Sequence, residues 1–186
     1  VLLIGDVHGK IGDYLNLCST ARESIQLGDL SNDYRVIRNA LPKDGHRFIR
    51  GNHDPRKQIA TMPQWIEDGT VEGDMMMIGG ADHYPGRDTR GLPDRTIPEY
   101  QWKVISAIYR DQKPRVMLTH DCPSTAGRIM DRYDYTDTYT AQWLDRLFQY
   151  HVPELWVFGH WHQSRNFWIN ECNFVCLDTL ETYRYD

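Results

Sequence analysis

Five short apolar runs in this sequence end on the same kind of chemistry, and that pattern limits the folds open to it. Val1-Leu2-Leu3-Ile4 runs into Gly5-Asp6-Val7-His8-Gly9, and Ile25-Gln26-Leu27 into Gly28-Asp29. Arg47-Phe48-Ile49 leads to Arg50-Gly51-Asn52-His53-Asp54, and Val116-Met117-Leu118 to Thr119-His120-Asp121. Leu155-Trp156-Val157-Phe158 leads to Gly159-His160-Trp161-His162. Apolar runs this short, bounded by Gly, Asp and Asn, read as strands. In an α/β sheet the carboxyl ends of such strands face one crevice. One Gly-Asp is ordinary turn or cap chemistry, and one His-x-His is an ordinary surface pair. Five together, each at the same end of its strand, point to a shared site.

The rest of the chain supplies the α/β pattern. Strands are expected at residues 1–4, 24–27, 46–49, 75–78, 116–118 and 155–158, with helix-length stretches between them. Residues 97–112 place Val104, Ile105 and Ile108 on one helix face, and residues 138–150 do the same with Trp143, Leu144, Leu147 and Phe148. Residues 167–169 and 174–177 flank Asn170-Glu171 as a hairpin. Residues 81–98 and 123–137 lack periodicity, are rich in Gly, Pro, Asp and Arg, and read as loops at the reactive edge. No repeat or linker interrupts residues 1–186, which read as a single domain.

Composition narrows the function classes. Hydrophobic residues make up 40% and aromatics 12%, as in a packed globule. The formal charge of 21 − 26 = −5 argues against strong nucleic-acid or anionic-membrane binding. No apolar run approaches the roughly 20 residues of a membrane span, and no secretory leader is read at the start. Cys18, Cys122, Cys172 and Cys176 fit neither a disulfide framework nor a zinc ribbon, so buried free thiols and a cytoplasmic location are expected. His46 and His151 read as structural or surface residues.

Spacing within the motifs carries a further expectation. Residues i and i+2 of an extended strand project to one side, so Asp6 with His8, and His160 with His162, can each aim two donors at one point. Gly5, Gly9, Gly28, Gly51 and Gly159 allow tight turns and close backbone approach.

The ordered motifs GDVHG, GD, GNHD, THD and GHWH resemble those of the calcineurin-like metallophosphoesterase superfamily, over most of the chain. The resemblance implies a four-layer α/β/β/α sandwich, two mixed β-sheets flanked by helices, with a dinuclear centre at the strand ends. It implies Asp6, His8 and His162 as ligands of a first metal, Asn52, His120 and His160 as ligands of a second, and Asp29 as the bridge. It also implies His53 as the catalytic histidine, with Asp54 as its partner. Four imidazoles, two carboxylates and one amide, with no thiolate, suit two divalent transition-metal ions: manganese first, with iron, cobalt, nickel or zinc as alternatives. Magnesium, which prefers oxygen ligands, is less suited. The expected reaction is hydrolysis of phosphate mono- or diesters by a metal-bridging hydroxide, with His53 protonating the leaving oxygen.

Substrate is less legible. Arg50 before the third motif, and the GDVHG motif, resemble the phosphoprotein phosphatase branch and its dinucleoside polyphosphate hydrolase relatives. That branch carries GDxxDRG, whereas this chain has Gly28-Asp29-Leu30-Ser31-Asn32-Asp33-Tyr34 and so lacks the phosphate-binding arginine there. A small phosphate ester or nucleotide is therefore the expected substrate, with a phosphoprotein as the alternative. Arg50, His83, Arg87, Arg90 and Arg128 are candidate substrate contacts, because arginine binds phosphate bidentately. The alternative of another class is a non-catalytic scaffold of the same fold, like the retromer subunit.

Overall fold

The computed structural model describes residues 1–82, 96–130 and 138–186. Alternation along buried strands determines its layers. In β1 (Leu2–Ile4), Leu3 points one way and joins Ile25, Leu27 and Ile49 in a core shared with Met77, Val116, Leu118, Val157 and Val175. Leu2 and Ile4 point the other way, into a second core with Tyr14, Cys18, Tyr34, Phe48 and Ile59. The first core lies between two sheets, and the second between a sheet and its helices.

The smaller sheet has the order β10-β1-β2-β3. β1, β2 (Ser24–Gln26) and β3 (His46–Phe48) run parallel, and β10 (Thr182–Arg184) is antiparallel to β1. The larger sheet has the order β4-β5-β6-β7-β9-β8. Its centre is parallel: β5 (Met75–Ile78), β6 (Val116–Thr119), β7 (Leu155–Phe158) and β9 (Cys172–Cys176). β4 (Thr70–Glu72) and β8 (Arg165–Ile169) are its antiparallel edges.

Helices α1 (Ile11–Cys18), α2 (Tyr34–Ile37) and α3 (Arg56–Ile59) belong to the layer against the small sheet. Helices α4 (Glu99–Gln112) and α6 (Tyr139–Tyr150) bury Trp102, Ile105, Tyr109, Leu144, Leu147 and Phe148 against Met76, Ile78, Met117, Trp156, Phe158 and Phe174 of the large sheet. Thr138 caps α6 by accepting from the Ala141 amide, and Asp82 accepts from the Thr140 amide at 2.7 Å, tying the end of β5 to that helix. The four-layer sandwich is the one expected.

Several local expectations need correction. Of the expected stripe on α4, Ile105 is buried and Ile108 packs against the core, but Val104 is 57% exposed, because the buried face is completed by Trp102 and Tyr109 instead. Residues 124–130, read as loop, form the short helix α5 (Ser124–Gly127) and a 3-10 turn (Arg128–Met130). β4 and β10 were not expected, whereas α1 falls in the helix-length stretch between the first two strands. The 165–176 hairpin turns at Asn170, with φ +53°, as its sequence suggests. All four cysteines are free and buried, as expected. Among the described residues no helix is long and apolar enough to cross a membrane.

Candidate metal centre

The carboxyl ends of β1, β2 and β3 in one sheet meet those of β6 and β7 in the other. Asp6, His8 and His162 form one group, and Asp29, His120 and His160 another; within each, the donor atoms lie within 4.8 Å of one another. In the first group His8 Nε2 and His162 Nε2 are 2.8 Å apart, and they stand 3.3 and 2.9 Å from Asp6 Oδ2. Two imidazole nitrogens at that separation cannot both carry protons; ligands about 2.1 Å from a shared ion have similar spacing. In the second group His120 Nε2 is 3.1 Å from Asn52 Oδ1 and 3.6 Å from Asp29 Oδ1. Asp29 Oδ2 is 4.0 Å from both His8 Nε2 and His53 Nε2. One carboxylate thus faces both groups.

Backbone conformation explains how neighbouring residues reach different points. His8, Asp29, His160 and His162 all have left-handed φ, at 48°, 57°, 65° and 48°. Such strain gathers at sites that need it. Asp6 and His8 share a group as expected, but not through extended backbone. His160 and His162, expected from spacing to aim at one point, divide between the two groups. Close packing adds its own requirement: Gly28, at φ +97°, leaves no room for a Cβ against His120 Nδ1, and a Cβ on Gly51 would strike the Asp29 carboxylate.

Electrostatics identify a place that demands positive charge. Burial alone would raise the Asp6 and Asp29 carboxyls. The hydrogen bonds of His162 and His8 to Asp6, and the charge of His120 beside Asp29, outweigh it and hold both below the ordinary carboxylate range. Burial works to lower His120, but Asp29 and Asp6 prevail and push it up to about 10. Burial, then the charge of His120, drives His160 down to about 3. The hydrogen bond to Asp6 raises His8 as well, so positive charge is favoured beside both carboxylates. His120 Nδ1 donates to the Leu27 carbonyl at 2.7 Å, which leaves Nε2 as the donor atom facing the group. Two ionised carboxylates, one amide oxygen and four imidazoles fit divalent transition ions.

Of the other expected residues, His53 lies at the rim. Its side chain is 37% exposed, its backbone N–H donates to Asp29 Oδ1 at 2.8 Å, and its ring meets His8 edge-on at 5.7 Å. Asp54, expected as its partner, is engaged by other donors. The Asp54 carboxylate accepts from the amides of Asp29 (2.8 Å), Gly51 (2.6 Å) and Ser31 (3.1 Å) and from the Tyr34 hydroxyl (2.7 Å). Through these four donors it ties the loops after β2 and β3 together.

Arg50, expected to contact substrate, is fully buried, and its Nε donates to Asp68 Oδ2 at 2.9 Å. Its side chain packs beneath Gly79 and Gly80, where an added Cβ would strike it, instead of standing open at the strand ends. Arg128 is exposed on the 3-10 turn, and that turn is tied to the residue after His162 by Gln163 Nε2 donating to the Met130 carbonyl at 3.3 Å. His83, Arg87 and Arg90 lie outside the described residues. His46 bonds to the Ser24 hydroxyl at 3.0 Å and His151 donates to the Pro114 carbonyl at 3.0 Å, both structural. The residue missed was Tyr34: nothing in its local sequence marks it as a donor to a buried carboxylate 20 positions away.

The fold and site define a four-layer α/β scaffold with two candidate metal-ligand groups at its strand ends. The chain belongs to the calcineurin-like phosphoesterase family, whose model matches residues 1–164. No curated protein matches it. Among solved structures it resembles a Staphylococcus aureus protein described as a 5'-nucleotidase, solved with alpha-ketoglutarate, at 10% identity and a TM-score of 0.57. The alignment covers 96% of this chain and 48% of that one, so the chain spans about half its length. A dimetal phosphatase from Danio rerio aligns at 10% identity and TM-score 0.55, over 93% of this chain and 79% of that one. Phosphopantetheinyl hydrolase from Mycobacterium tuberculosis aligns at 13% identity and TM-score 0.54, over 96% and 89%. These likenesses are to the fold.

Proposed function

We propose that the protein is a dinuclear-metal hydrolase of phosphate mono- or diesters, acting on small esters or nucleotides, with His53 as general acid. The observation that carries this reading is the single Asp29 carboxylate facing two donor groups, 3.6 Å from His120 on one side and 4.0 Å from His8 on the other. Asp6, His8 and His162 would hold one ion, Asn52, His120 and His160 the other, and Asp29 both. Bound there, divalent ions supply Lewis-acid stabilisation of phosphoryl charge and a nucleophile at neutral pH. The remaining work belongs to side chains. His53 is anchored through its backbone to Asp29 while its ring stays open to solvent, a position from which Nε2 can protonate a leaving oxygen. Arg128, on the turn joined to the His162 loop, would hold a phosphate of the substrate.

The activities of the neighbours, a nucleotidase, a phosphatase and a phosphopantetheinyl hydrolase, support phosphate-ester hydrolysis. The scaffold alternative is disfavoured by a full donor set and an accessible His53. Steady-state kinetics with manganese on matched monoesters, diesters, phosphopeptides and nucleotides test the proposal. Hydrolysis of at least one ester class, lost on chelation, is expected. No turnover by a metal-loaded protein would favour the scaffold.

A further inference from the structure

Two buried side chains that are not among the expected ligands link the loops that carry three of them. His160 and His162 adopt left-handed backbone, at φ 65° and 48°, and non-glycine residues stay there only when their surroundings over-determine them. Trp161 lies between them, 2% exposed, in the core cluster that also contains Cys122, Ala126 and Met130. Its backbone N–H donates to the Gly159 carbonyl at 2.7 Å, closing a tight turn, and its indole Nε1 donates to Asp121 Oδ1 at 3.1 Å. Asp121 is 1% exposed, follows His120 directly, and uses the same oxygen to accept from the Cys122 amide at 2.8 Å. A second indole secures the same loop: Trp156 Nε1 donates to the Thr119 hydroxyl at 2.8 Å, and that hydroxyl donates to the Asp121 carbonyl.

We infer that Trp161 and Asp121 are positioning residues for both metal sites: the indole–carboxylate bond fixes the loop after β7 against the loop after β6, so that His160 meets His120 in one donor group while His162 meets Asp6 and His8 in the other. This rests on the metal-centre reading above. Its consequence is that one hydrogen bond, made by no ligand, sets the affinity of two ions at once. Outer partners that orient metal ligands commonly change affinity by about 10–100-fold when removed.

The test is calorimetric titration of the metal-free protein with manganese alone, comparing the natural chain with Trp161→Phe and Asp121→Asn. Phenylalanine keeps an aromatic ring in the core and removes only the indole donor. Asparagine keeps the Oδ1 acceptor, and the oxygen it replaces, Oδ2, makes no hydrogen bond among the described residues. We expect Trp161→Phe to weaken both manganese sites together, by about 10–100-fold, and Asp121→Asn to bind at the natural affinity. Thermal melts of each metal-free variant separate this from general loss of stability. If Trp161→Phe binds both ions as the natural chain does, whatever its melting temperature, the positioning role is overturned. If the natural chain itself binds no manganese, the metal-centre reading fails, and this inference with it.

Discussion

Asp54→Ala separates two roles for a carboxylate that sequence alone pairs with His53. The structure gives that carboxylate four donors: the amides of Asp29, Gly51 and Ser31 and the hydroxyl of Tyr34, at 2.6 to 3.1 Å. Asp54 is 1% exposed, so removing it leaves donors unpaired in the interior. Each such donor costs about 1–3 kcal/mol, so four cost about 4 kcal/mol even at the low end. That is a large share of the roughly 5–15 kcal/mol holding an ordinary domain together. With a urea slope of about 2 kcal/mol per molar, the unfolding midpoint should fall by about 2 M. Asp54→Asn, which keeps one acceptor oxygen, should lose about half as much. Urea unfolding of the metal-free variants, followed by circular dichroism, measures both. A natural midpoint in Asp54→Ala, accompanied by a fall in kcat alone, would refute the loop-tying role and return Asp54 to His53.

His53→Asn should keep its metals and lose about 10²–10⁴ in kcat on esters with poor leaving groups, with a smaller loss on an activated aryl ester that needs no proton; equal losses on both would assign His53 to positioning instead. The metal-free protein should show a pH-dependent stability to which the centre contributes at both ends. The folded-state pKa of His120 is raised from 6.5 to about 10, so its contribution is full below 6.5 and is lost as pH rises toward 10. Asp6 and Asp29 are lowered from 3.8, so theirs is present above 3.8 and is lost in acid. Urea midpoints across this range should form a dome that manganese broadens on its alkaline side, and an alkaline limb unchanged by manganese would count against the assigned charges.

The legible parts of the structure are those where local sequence and tertiary demand agree. Runs such as Val116-Met117-Leu118 are apolar throughout because β6 is buried on both faces, and the glycine or histidine that follows marks where the sheet ends. β4 and β10 escaped notice because Thr70–Glu72 and Thr182–Arg184 are short, largely polar and at sheet edges, where pairing with β5 and β1 rather than residue type makes the strand. The convergence of the seven expected ligands could be anticipated from motif order, but their division into two groups could not be derived from spacing. It depends on left-handed turns at His160 and His162 that no residue there advertises. Arg50 and Asp54 adjoin the third motif and so invite a functional reading. Only the packed structure shows that Asp68 neutralises the first and that backbone amides surround the second.

The measurement that bears most directly on the whole account is metal content. Protein purified without chelator and loaded with manganese should carry close to two ions per chain by elemental analysis, and chelation should remove both ions together with hydrolysis of an activated aryl phosphate. Asp29→Asn, which takes charge from both donor groups, should lower the stoichiometry more than Asn52→Ala, which touches one. At most one ion in the natural chain, or hydrolysis that continues in chelator, would contradict the two-metal centre.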